Sequence, residues 1–91
     1  MTSRKVTVRN LTGIHARPAT DLVHKAKEFS SAIRLQKAAE PDSKPTNAKS
    51  LVAVLALSAG CGTELLITAE GEDEEAAVEA LVSMVESGFG E

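Results

Sequence analysis

The spacing of apolar residues along this chain switches repeatedly between the period of a strand and the period of a helix, and this narrows the fold more than any other feature. In "RKVTVRN", residues 4–10, Val6 and Val8 fall on one side and Lys5, Thr7 and Arg9 on the other, the pattern of a half-buried strand. "LTGI" interrupts it. The apolar positions then become Ala19, Leu22, Val23, Ala26 and Phe29, which is helical spacing. Pro18 suits the first turn, where a missing N–H costs nothing, so a first helix is predicted over residues 17–29. "SAIRLQK" alternates again, with Ile33 and Leu35 on the apolar side. "AAEPDSKPTN" is polar and holds Pro41 and Pro45, which predicts a hairpin connection with a short strand around residues 44–48. Ser50 suits the cap of a small helix over residues 51–57. "AGCGT" reads as a turn and "ELLITAE" as a strand with Leu65, Ile67 and Ala69 on one face. The last stretch, "GEDEEAAVEALVSMVESGFG", reads as a helix. Asp73 or its neighbour caps it, acids crowd its positive end, Val78, Leu81, Val82 and Val85 form its stripe, and Gly88 stops it.

The resulting order is βαββαβα. Strands and helices with one apolar face each must bury those faces against one another. The economical solution is an α+β open-faced sandwich: a four-stranded antiparallel sheet with three helices on one face. At 91 residues the chain reads as a single domain, 1–91, able to bury roughly 60–65% of its unfolded surface. Its one cysteine, Cys61, excludes an internal disulfide and points to a reducing compartment. "MTSRKVTVRN" has no apolar signal region, and no apolar run approaches the roughly 20 residues of a membrane span. A cytoplasmic location, with no membrane partner, is expected.

The formal net charge is −3, unevenly distributed. Arg4, Lys5, Arg9, Arg17, Lys25 and Lys27 precede residue 30, whereas "EGEDEE" lies late. The first third therefore offers a positive face to an acidic partner, although ordinary solvated charge explains the composition equally well. Direct nucleic-acid binding fits poorly, because Tyr and Trp are absent and the charge is negative.

The chemistry concentrates in "GIHARPAT", residues 13–20. His15 stands just before the predicted helix, whose first N–H groups lack partners and carry positive character. Phosphate binds such ends readily. Arg17 offers a bidentate fork for phosphate oxygens. Gly13 lets the chain turn sharply so that the imidazole stands clear. Imidazole is a competent nucleophile near neutral pH. A histidine that carries a phosphoryl group fits the stretch. A histidine that merely caps the helix or lies on the surface fits the residues about as well.

"GIHARPAT" resembles the active-site signature of the HPr family, the histidine-containing phosphocarriers of the bacterial sugar phosphotransferase system. "AKSLVAVLALSAGCGTELLITAEGEDEEAAVEAL", residues 48–81, is similar to the second half of that family, so the resemblance spans nearly the whole chain. It implies that His15 accepts a phosphoryl group on Nδ1 from phosphorylated enzyme I, charged by phosphoenolpyruvate. His15 would then pass the group to a histidine on an enzyme IIA, with Arg17 and the helix amides stabilising it in transit. In that role the chain is a carrier rather than a stand-alone catalyst, needs no cofactor or metal, and is expected to be a monomer.

The resemblance also implies a regulatory phosphorylation at Ser50 by an HPr kinase/phosphorylase, linked to a catabolite-control transcription regulator. Read from its position alone, Ser50 is a helix cap. Two departures bear on kinase recognition: Ala53 stands where a glycine is common, and the 38–46 hairpin is a few residues longer than usual. In the family the first and the short helix form a docking face, which would place Thr20, His24, Lys27, Leu51 and Val52 against enzyme I and the acceptors. Periodicity puts Leu51 or Val54, and Leu55, in the core.

Other signals are weak. His24 has no carboxylate or cysteine at ligand spacing, Cys61 reads as a small turn residue, and "EGEDEE" lacks the calcium-loop pattern. Two related readings stand beside the sugar carrier: the nitrogen-related phosphotransferase paralogue, which uses the same histidine, and a regulatory binding protein of the same fold. The "AKS" segment favours the sugar system. The presence of His15 disfavours the regulatory protein, whose kind lacks it.

Overall fold

A computed structural model describes residues 1–90 of the chain. In order it contains β1 (Thr2–Thr7), α1 (Ala16–Lys27), β2 (Ala32–Lys37), β3 (Thr46–Asn47), α2 (Leu51–Leu57), β4 (Glu64–Glu70) and α3 (Glu74–Glu86), then a 3₁₀ turn, Gly88–Gly90. The strands form one antiparallel sheet in the order β1-β4-β2-β3. β4 is central: Val6 faces Leu65 on one side, and Leu35 faces Ile67 on the other.

The alternation read from the sequence decides which face of the sheet is covered. Val6, Ile33, Leu35, Leu65, Ile67 and Ala69 point to the helices and are buried. They meet Leu22, Val23 and Ala26 of α1 and Val78, Leu81, Val82 and Val85 of α3. Burying each large aliphatic side chain contributes roughly 1.5–3 kcal/mol against the entropy of ordering it. α3 covers β1 and β4, while α1 packs beside both α2 and α3. The expected architecture is thus the observed one.

Several boundaries and side chains differ from expectation. α1 starts at Ala16 and ends at Lys27, so Phe29 lies just past it, half-buried against the core. β3 shrinks to Thr46–Asn47, because Pro45 has no N–H to donate to a ladder and Ser50 begins the next element. In α2 only Val54 is buried, one of the two alternatives that the spacing offers, and Leu51 is exposed; Leu55, expected in the core, also lies outside it. Asp73 holds the cap position of α3 but makes no capping bond. Its carboxylate instead accepts from the Ser30 N–H at 2.9 Å, the Ser31 N–H at 3.0 Å and the Ser31 hydroxyl. These bonds, led by the Ser31 hydroxyl, hold the Asp73 pKa down to about 2. Glu74 is held at about 2 as well, chiefly by the Thr2 hydroxyl and the terminal ammonium of Met1. Gly88, at φ +68, ends α3 as expected.

Candidate functional site

The loop from β1 to α1 is held down before it presents anything. The Val8 N–H donates to Thr63 O at 2.9 Å, and the Gly62 N–H donates back to Val8 O at 2.8 Å. The chain then turns: the Gly13 N–H donates to Asn10 O at 3.1 Å, and Ile14, buried, donates to Ala59 O at 2.8 Å. Gly13 is required here twice over. Its φ is +70, and a Cβ there would lie 2.6 Å from Ala59 O and 2.8 Å from Gly60 Cα. The expected sharp turn is present, with the added reason of close packing against the 59–60 backbone.

His15 follows as the N-cap of α1, with extended backbone (φ −143, ψ 154), an exposed side chain and no capping hydrogen bond from its ring. The imidazole therefore does not satisfy the first turn of α1, whose N–H groups have no intrahelical partners. No acidic residue stands in that turn to compete for them. Ala16, directly after His15, has φ +46, a region that costs a non-glycine residue about 1–3 kcal/mol and persists only where the surroundings enforce it. The surroundings are rigid on both sides: Ile14 before it, Pro18 and Ala19 after it, all buried.

Arg17 is the second residue of α1, its side chain 90% exposed, with Nε 4.0 Å from Asp21 Oδ2. An exposed pair at that distance is weak, so the guanidinium is free to swing toward an anion at His15. The Thr20 hydroxyl donates to Ala16 O at 3.2 Å, tying the strained residue to the next turn. His24 and Lys27 are exposed farther along α1. On α2, Val52 is exposed and Leu51 partly so, while Ser50 caps the helix by accepting from the Ala53 N–H at 3.3 Å. The contact between α1 and α2 puts these residues on neighbouring helices beside the histidine loop. Leu11 adds a further exposed apolar side chain to that loop.

Two residues escaped the sequence reading. Asn10 is buried, its carboxamide donating to Gly13 O at 2.7 Å and Thr12 Oγ1 at 3.0 Å. An asparagine three residues before a glycine is a turn signal that could have found it. Leu55 joins Leu51 and Val52 as exposed apolar surface, which the uniformly apolar α2 sequence conceals. No cluster of three or more His, Cys, Asp or Glu suited to a metal ion occurs among the described residues. No helix among them is long and apolar enough to cross a membrane. A surface cleft of about 700 Å³, lined in part by Arg34, Lys37 and Lys44, lies between the hairpin and α2 and does not include His15. His15 is exposed on the surface, where another macromolecule can reach it, and does not line this cleft.

Comparison with known proteins agrees with this geometry. The family model described as "PTS HPr component phosphorylation site" matches residues 2–87. The phosphocarrier protein HPr of Treponema pallidum is 42% identical over 91 residues, covering 100% of this chain and 99% of its own. The HPr-like protein Crh of Bacillus subtilis is 42% identical over 86 residues, covering 94% of this chain and 96% of its own. A crystal structure of HPr from Thermoanaerobacter tengcongensis superposes with a TM-score of 0.92 at 43% identity, covering 100% of this chain and 98% of that one. With an exposed histidine at the mouth of α1 and whole-length similarity to these proteins, the chain belongs to the HPr family of phosphotransferase-system phosphocarriers.

Proposed function

We propose that His15 is the residue that carries the phosphoryl group, accepting it from phosphorylated enzyme I and passing it to enzyme IIA domains. The observation that carries this reading is the exposed His15 ring at the N-cap of α1, uncommitted to capping and next to unpartnered N–H groups. In the first transfer the lone pair of His15 Nδ1 attacks phosphorus as the N–P bond to the donor histidine breaks. The donor ring leaves with that electron pair, so no oxidant or further reactant is required. Arg17 and the first amides of α1 compensate the charge spread over the phosphoryl oxygens. The second transfer is the same step with His15 as donor.

Thr20, His24, Lys27, Leu51 and Val52 form the docking face in this reading, with Leu55 added by its exposure. Basic side chains at its rim meet acidic partners, and a small face allows the fast release a relay needs. Ser50 is the site of regulatory phosphorylation by an HPr kinase, read out by a catabolite-control regulator. The chain works as one unit over residues 1–91, as a cytoplasmic monomer.

The test is intact-mass spectrometry at alkaline pH after mixing the chain with phosphoenolpyruvate and a sugar-system enzyme I. One added phosphate, lost on mild acid treatment, is expected on the unmodified chain and none on His15→Ala, which should fold normally by circular dichroism. Arg17→Ala should be phosphorylated at least about tenfold more slowly. Acid-labile phosphate on His15→Ala would remove His15 from the relay. Phosphorylation only by a nitrogen-system enzyme I would reassign the branch.

A further inference from the structure

The Gly13 carbonyl oxygen accepts two hydrogen bonds. One comes from the Asn10 carboxamide at 2.7 Å, the other from the His15 backbone N–H at 3.1 Å. Asn10 is thus one bond from the carbonyl to which the histidine is tied. Its own carbonyl accepts the Gly13 N–H, so both ends of the turn close on this one residue. The side chain is only 5% exposed and sits against Gly88, just past the end of α3. Ala59 holds the opposite side of the turn by accepting from the Ile14 N–H, and its oxygen leaves no room for a Cβ on Gly13.

These contacts define the direction in which the chain enters His15. Residues 10–15 cannot pivot about Gly13 without breaking the Asn10 bond, and cannot slide because Ile14 is buried. Beyond His15 the chain must pass at once through the left-handed conformation of Ala16, which holds only between fixed flanks. The downstream flank is α1 itself. Asn10 supplies the upstream flank.

Resting on the reading of His15 as the phosphoryl acceptor, we propose that Asn10 is a positioning residue for the transfer. By fixing the Gly13 carbonyl, and through it the His15 N–H, its carboxamide aims the imidazole along the line of attack. Asn10 is buried and lies off α1 and α2, the docking face of the proposed function. Its loss should therefore act on the rate of the chemical step rather than on recognition, since small misplacement of a reacting group is costly.

The experiment measures phosphorylation of the unmodified chain and of Asn10→Ala by enzyme I and phosphoenolpyruvate, with the carrier concentration varied, well below either melting temperature. The expected result is a kcat lower by about tenfold or more with KM within about twofold. The His15 amide resonance should shift in ¹⁵N–¹H spectra while those of α2 stay in place. A residue that serves stability alone would lower Tm and leave kcat unchanged, and that outcome overturns the proposal. A raised KM at unchanged kcat overturns it too. Where Asn10→Ala does not fold, Asn10→Asp at pH 8 keeps the shape without the N–H donor and must show the same fall in kcat. Failure of the unmodified chain to accept phosphate would instead refute the reading of His15, and the proposal with it.

Discussion

At the scale of single residues, the site depends on one glycine more than on any charged group. A methyl group on Gly13 would meet the Ala59 carbonyl and Gly60 Cα, both backbone atoms that cannot rotate away, at a φ of +70. Gly13→Ala should therefore destabilise the fold by about 2–4 kcal/mol, visible as a lower urea midpoint. A loss under about 0.5 kcal/mol would mean that the 59–60 loop yields. The turn at Gly13 and the place of His15 and Arg17 at the start of a helix were legible in the sequence, while their chemistry was not, since a capping or surface histidine fits the same residues and only the family resemblance points to phosphoryl transfer. The strain at Ala16 was not legible, since alanine carries no sign of a left-handed backbone. Asn10 was not singled out because an asparagine after a strand is so ordinary.

Among the elements, α2 shows how little can hold a helix of seven residues. Such a length is unstable alone in water, so its ends and its packing decide whether it forms. It has the Ser50 hydroxyl at one end, Ser58 in the left-handed conformation at the other, and Val54 buried between them. The Ser50 contact, at 3.3 Å, is long. Ser50→Ala should accordingly sit at the low end of cap deletions, about 0.5–1 kcal/mol by urea denaturation, with the loss confined to α2 in amide-exchange measurements. An unchanged midpoint would show the cap to be idle. Position and cap were readable here, but inward direction was not. "LVAVLAL" is apolar all round, so its spacing leaves Leu51 and Val54 as alternatives and points Leu55 inward, and tertiary packing selects Val54. β3 lies where the sequence places a short strand, but its bounds are narrower than residues 44–48, because pairing of two residues leaves no alternation to read. Asp73 or its neighbour reads locally as a cap, because the partners of Asp73, Ser30 and Ser31, are distant in sequence and only the fold brings them near.

For the molecule as a whole, the acidic start of α3 is a clasp. Asp73 holds the turn before β2, Glu74 holds the Thr2 hydroxyl and the Met1 ammonium, and Glu79 pairs with Arg4. Asp73 and Glu74 titrate near 2 in the folded chain, below ordinary carboxylates. A lowered folded pKa contributes stability that is complete above the unfolded value of about 4 and disappears as pH falls toward 2. Melting temperature should thus fall steeply between about pH 4 and pH 2, and less steeply in Asp73→Asn, which cannot lose that charge. Parallel curves for the two proteins would place the acid sensitivity elsewhere. The large features of the fold were legible, because three alternating strands and two long helices with single apolar faces admit few arrangements. The strand order β1-β4-β2-β3 has a consequence for synthesis. A chain made from its first residue onward completes β1, α1, β2, β3 and α2 while β1 still has no neighbour to pair with. Only β4, passing between β1 and β2, joins them, so the sheet closes late, with the histidine loop already made and its Ala59 anchor just before β4.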